Sequence, residues 1–134
     1  MSRRTSEAQR RGATVVEFAL TAPILFMLLF GALELGHANM ILNVSEAAAY
    51  EGAREGIVPG ASAAEVRAAA QRILGISNIR GAAIQVNPAN LALETDTIRV
   101  DITVPYAQNT LMPPFFTGGL IIQRSCELAR EDPS

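Results

Sequence analysis

A chain of 134 residues has room for one small domain beside the apolar segment near its start, since removing the first 36 residues leaves 98, a size that supports a single core. The composition is 49% hydrophobic but only 5% aromatic and 18% charged, and the net charge of −2 hides an asymmetry: residues 1–12 sum to +3 and the remainder to −5. An acidic remainder without a single lysine excludes a nucleic-acid footprint, and the length argues against a two-domain enzyme.

The chain opens with a basic leader in which Arg3, Arg4, Arg10 and Arg11 outweigh Glu7. From Phe18 to Leu33 there follow sixteen residues without a charge. Extended to Thr14 and Leu35, this run gives a helix of about 33 Å, long enough to cross a bilayer. A secretory signal would end in a small-residue cleavage site, whereas Gly31-Ala-Leu-Glu-Leu-Gly-His37 follows here, so the segment reads as a retained span. The arginines before it place the amino terminus in the cytoplasm and the rest of the chain outside. We therefore divide the chain into a cytoplasmic leader (1–12), a transmembrane helix (13–36) and an extracytoplasmic domain (37–134). Pro23 removes one backbone donor inside the span and predicts a local kink or loosened turn.

Glu17 sits one position before the uncharged run, where a carboxylate costs on the order of 2–3 kcal/mol. It either snorkels toward headgroups and the arginines or has a partner. If the chain were cut after Gly12, the new amino terminus at Ala13 would lie one helical turn from Glu17, and ammonium and carboxylate could compensate each other.

Beyond the membrane, Ile41, Leu42, Val44, Ala47, Ala48, Ala49 and Ala53 continue the helix, and Gly56 with Pro59-Gly60 stops it. Ser62-Ala-Ala-Glu65 has capping-box spacing, and Val66, Ala69, Ala70, Ile73 and Leu74 follow at helical spacing until Gly75 closes a second, amphipathic helix. The period then changes. Ile98, Val100, Ile102 and Val104 alternate with Arg99, Asp101 and Thr103, the pattern of a strand with one buried face. Ala83–Asn87 and Leu120–Leu128 are shorter strand candidates, the latter with an apolar face interrupted by Arg124. Three strands form an antiparallel sheet covered by the two helices, an α+β arrangement. In the Leu111-Met-Pro-Pro-Phe-Phe116 connection the prolines forbid a central strand; the loop is either an exposed contact surface for a partner subunit or, the expectation preferred here, one whose Phe115 and Phe116 plug the edge of the core.

Little in the chain points to chemistry. One histidine, His37, makes neither a metal cluster nor a Ser/His/Asp arrangement and reads as an interfacial polar residue. Gly118-Gly119 is a turn. Asp96 and Asp101, an odd number apart, face opposite sides of one strand. The lone Cys126 cannot form an intramolecular disulfide and reads as a small buried hydrophobe. No catalytic residue, metal, cofactor or small-molecule substrate is expected.

The basic leader ending in Gly12, followed after four residues by Glu17-Phe18 at the head of an apolar helix, resembles the processing site of type IV prepilins, with Glu-Phe similar to the tight-adherence branch. Glu46-Ala-Ala-Ala-Tyr-Glu-Gly-Ala-Arg-Glu-Gly56 resembles the alanine-rich segment after the membrane helix in TadE-like proteins, the minor pseudopilins of the tight-adherence (Flp-type, type IVb-like) system. The resemblance implies a pilin-like fold in the cytoplasmic membrane with its domain in the periplasm. It also implies cleavage between Gly12 and Ala13 by a prepilin peptidase, recognition of Glu17 and Phe18 in processing or assembly, and partnership with pilin subunits and the pilus assembly platform. The rival expectation is an uncleaved single-pass envelope protein whose outer domain binds a partner or ligand.

Overall fold

The computed structural model describes residues 3–91 and 96–130, with side chains from residue 12 onward. The order of elements is helix α1 (Arg3–Gly56), helix α2 (Ala63–Ile76), strand β1 (Ala83–Asn87), strand β2 (Thr97–Pro105), a 3-10 turn at Tyr106–Gln108, and strand β3 (Ile121–Ala129). The chain divides into two compact units at the Leu33–Glu34 bond.

In the amino-terminal unit the backbone is helical from Arg3, well before Ala13, so α1 is longer than the apolar run alone predicts, at 54 residues. It runs through Pro23 without interruption. Val15, Phe18, Leu20, Ile24, Leu25, Phe26, Met27 and Leu28 are all more than half exposed. A helix that is apolar all round and uncovered by its own chain suits lipid or other helices, and this one is long and apolar enough to cross a membrane.

The carboxy-terminal unit is α+β. Its antiparallel sheet has the order β1-β2-β3, with Ile84 opposite Ile102 and Val86 opposite Val100 on one side, and Val100 opposite Cys126 and Val104 opposite Ile122 on the other. Ile98, Val100, Ile102 and Val104 are fully buried, as the alternation predicts. The core joins them to Ile41, Ala48, Ala49 and Ala53 of α1 and Val66, Ala70 and Leu74 of α2. The opposite sheet face is polar, with Gln85, Arg99, Asp101, Thr103, Gln123 and Ser125 around one shallow depression.

Small residues let α1 approach this core. A Cβ on Gly52 would stand 3.3 Å from both the Ala70 Cβ and the Val66 carbonyl oxygen, and one on Gly56 would meet the Ile98 Cγ2 at 2.9 Å. The end of α1 is held from the far end of the sheet: the Arg130 guanidinium donates to the carbonyls of Gly56 (3.0 Å) and Ile57 (3.3 Å), groups that a helix terminus leaves unpaired.

Helix α2 starts on the expected capping box. The Glu65 amide donates to the Ser62 hydroxyl at 3.3 Å, and the Ser62 amide donates to the Glu65 carboxylate at 2.8 Å. The Ser62 amide, together with the Ser62 hydroxyl that also donates to the carboxylate at 2.8 Å, holds the Glu65 carboxyl below its ordinary pKa. The helix does not stop at Gly75. It continues to Ile76, and Asn78 takes the left-handed conformation (φ 53°) while the Ile79 amide donates to the Leu74 carbonyl, a closure in which asparagine replaces the usual glycine.

Arg124 interrupts the apolar face of β3 and faces Glu46 of α1 at 3.8 Å, an exposed pair of small energetic weight. Cys126 is half-buried rather than fully buried, because its strand lies at the sheet edge. Burial, aided by the Glu46 charge, pushes its thiol pKa up.

The contacts of the two glycine positions predict opposite effects. Gly56→Leu forces a side chain into Ile98 and Val66 and should destabilise the domain by about 1–3 kcal/mol. Gly75, whose added Cβ meets nothing within 4 Å, should tolerate alanine with a gain of roughly 0.5–1 kcal/mol. Thermal unfolding of the full chain in detergent measures both.

Candidate functional site

Two groups of residues stand out, one in each unit. In the amino-terminal unit Gly12, Ala13, Glu17 and Phe18 lie on exposed positions of α1. Among the described residues nothing comes within 4 Å of a Cβ built on Gly12. Glycine also makes this the weakest helical position of its neighbourhood, by about 1 kcal/mol relative to alanine. Ala13 and Glu17 share a face one turn apart, but in the intact helix the Ala13 nitrogen is a neutral amide, so the ion pair requires a cut chain. The Thr21 hydroxyl donates to the Glu17 carbonyl at 2.9 Å, and Glu17 is exposed. The side chains of Arg3, Arg4, Arg10 and Arg11 lie outside the described residues.

In the carboxy-terminal unit the outstanding group is Glu34, which the sequence pattern offers only as a charge after the apolar run. Its side chain is nearly enclosed, with 8% exposure. The amides of Phe115 (3.1 Å), Phe116 (3.2 Å) and Thr117 (2.8 Å) all donate to its two oxygens, and the Thr117 hydroxyl adds a short bond. Successive amides converging on an anion form a backbone nest, and bonds to a carboxylate are stronger than those between neutral groups. The Glu34 carbonyl in turn accepts from the hydroxyl of buried Tyr106 at 3.0 Å.

One turn further along α1, His37 is tied to the same region. Its Nε2 donates to the Asn109 carbonyl at 2.7 Å, and its ring lies against Tyr106 with centroids 6.1 Å apart. The Asn109 side chain accepts from the Arg80 amide at 2.7 Å and donates to the Arg80 carbonyl at 2.9 Å. His37 is therefore part of the domain's internal packing rather than a free interfacial group. Among the described residues no group of three or more His, Cys, Asp or Glu side chains could hold a metal.

The loop bound by Glu34 overturns one expectation. Phe115 and Phe116 do not plug the core edge; they are 74% and 61% exposed. Their amides point inward to Glu34, so their side chains are directed out. The spacing of Glu34, Ala38, Ile41, Ser45, Ala48 and Gly52 at intervals of three and four is the sequence signal that places Glu34 at the head of the buried stripe of α1.

If Glu34 organises this loop, Glu34→Ala should leave three amides without their acceptor. Hydrogen exchange should then accelerate at residues 115–117 while the buried amides of β2 keep their protection, and Glu34→Gln, with one acceptor oxygen left, should fall between the two.

Residues 12–54 match the model of a family described as TadE-like protein, and no curated protein or solved structure matches the chain. The match begins at Gly12 and ends two residues before the end of α1, so it covers the apolar helix, Glu34 and the alanine-rich stripe. TadE-like proteins form a structural family of pilus components and are not known as enzymes. Residues 12–54 are thus similar to TadE-like proteins, a likeness that supports a component of the tight-adherence pilus system.

Proposed function

We propose that the chain is a minor pseudopilin of the tight-adherence pilus, made as a precursor and cut between Gly12 and Ala13 by a prepilin peptidase. In this reading Arg3, Arg4, Arg10 and Arg11 form a cytoplasmic leader that sets topology and is then removed. Residues 13–36 hold the protein in the cytoplasmic membrane, and the α+β domain lies in the periplasm. The apolar surface of α1 packs against the helices of other pilin subunits and engages the assembly platform.

The observation that carries this reading is that the family match opens at Gly12, the residue before the proposed cut, and spans Glu17 and the apolar run. The exposure of every large side chain from Val15 to Leu28 supports it, since a helix used for assembly needs an uncovered apolar surface. Once Ala13 carries a free ammonium, its place one turn from Glu17 gives the carboxylate an opposite charge, in the same subunit or the next. That compensation lowers the cost of carrying Glu17 at the membrane edge.

Glu17→Ala separates a pseudopilin from a plain anchor. In cells carrying the tight-adherence machinery, the variant should accumulate in the membrane yet lose processing or pilus assembly, read by immunoblot mobility and by counting surface filaments. An uncleaved envelope protein would insert as well as before or better, with filament number unchanged.

A further inference from the structure

Between Asp101 and Arg124 the chain has no charged side chain, and within this stretch Leu111, Phe115 and Phe116 are 79%, 74% and 61% exposed. The backbone beneath Phe115 and Phe116 is firmly held. Glu34 takes the amides of residues 115–117, the Leu120 amide donates to the Thr117 carbonyl at 2.9 Å, and the Leu120 carbonyl accepts from the Tyr106 amide at 3.0 Å. Large apolar side chains scattered singly on a surface are ordinary, but three on one fixed, uncharged loop mark a contact site. Pro113 and Pro114 bar the loop from pairing with another strand.

The tether identifies what covers it. Glu34 immediately follows Leu33, the last residue of the uncharged run, so the loop is fastened to the helix at the point where the run ends. A carboxylate at that point would be costly against lipid unless its oxygens were occupied. Here they are occupied by the loop, whose residues 111–116 carry only apolar side chains. We infer that Leu111, Phe115 and Phe116 form a lipid-facing rim that enters the interfacial layer of the bilayer leaflet from which α1 emerges, to a depth of about 5–10 Å. This rests on the reading of the apolar run as a membrane span. The rim fixes the depth of the domain at the membrane, and Glu34 is its positioning residue.

The test uses the full chain with Cys126→Ala, reconstituted into vesicles of phosphatidylethanolamine and phosphatidylglycerol. Single cysteines replace Phe115, Phe116, Leu25 or Ile76 in turn, and each carries a nitroxide. Labels at 115 and 116 should be relaxed by lipid-dissolved oxygen and shielded from a water-soluble nickel complex, like the label at 25 in the span and unlike the label at 76 on α2. Adding Glu34→Ala should move the 115 label toward the aqueous behaviour. Nickel accessibility at both 115 and 116 with the 25 label still in lipid would overturn the rim and leave the span intact. Shielding of 115 and 116 from both reagents would overturn it in favour of a protein partner or a second copy. A water-exposed 25 label would overturn the span and the rim together.

Discussion

One helix serves two surroundings, and the rest of the structure follows from that constraint. From Val15 to Leu29 the large apolar side chains of α1 are exposed. From Glu34 onward it carries a narrow buried stripe of mostly small residues, in which Ala48, Ala49 and Ala53 are fully buried and Gly52 and Gly56 leave no space for a Cβ without displacement. Larger residues in that stripe would hold α2 and β2 away from the helix, and a three-stranded sheet cannot bury its face without a helix against it. A backbone approach this close makes the helix the spine of a domain whose core is otherwise supplied by α2, Tyr106 and the three strands.

The change of surroundings is marked by Glu34. A carboxylate directly after an apolar run is destabilised wherever it stays unpaired, and here it gains three amides and a hydroxyl at once. The same contacts order a glycine- and proline-containing loop that has no regular structure of its own. Arg130 provides the corresponding closure at the other end, on the last carbonyls of α1. Polar groups at both ends of the buried stripe thus set which part of α1 belongs to the domain.

What was legible in the sequence was local. The capping box at Ser62 and Glu65, the alternation from Ile98 to Val104 and the apolar run each depend on residues within a turn or a strand of one another, and each is found as its pattern predicts. The Glu34 nest was not legible, because its partners are backbone amides 81–83 positions away and a backbone amide has no sequence signature. The outward turn of Phe115 and Phe116 follows from that unseen contact, which is why hydrophobicity alone predicted the wrong side. The end of α2 was misplaced by a smaller margin: Gly75 carries the usual stop signal, yet the left-handed residue is Asn78. The family match begins at Gly12, and the processing proposed there would depend on chemistry supplied by another protein. The match ends inside α1, and α2 and the sheet are accounted for by their packing.

The central claim is that α1 is an assembly helix released from a cytoplasmic leader. Intact mass of the chain, isolated from membranes of cells that carry the tight-adherence machinery, tests this most directly. The account predicts a species beginning at Ala13; a protein that begins only at Met1 or Thr5 would contradict it.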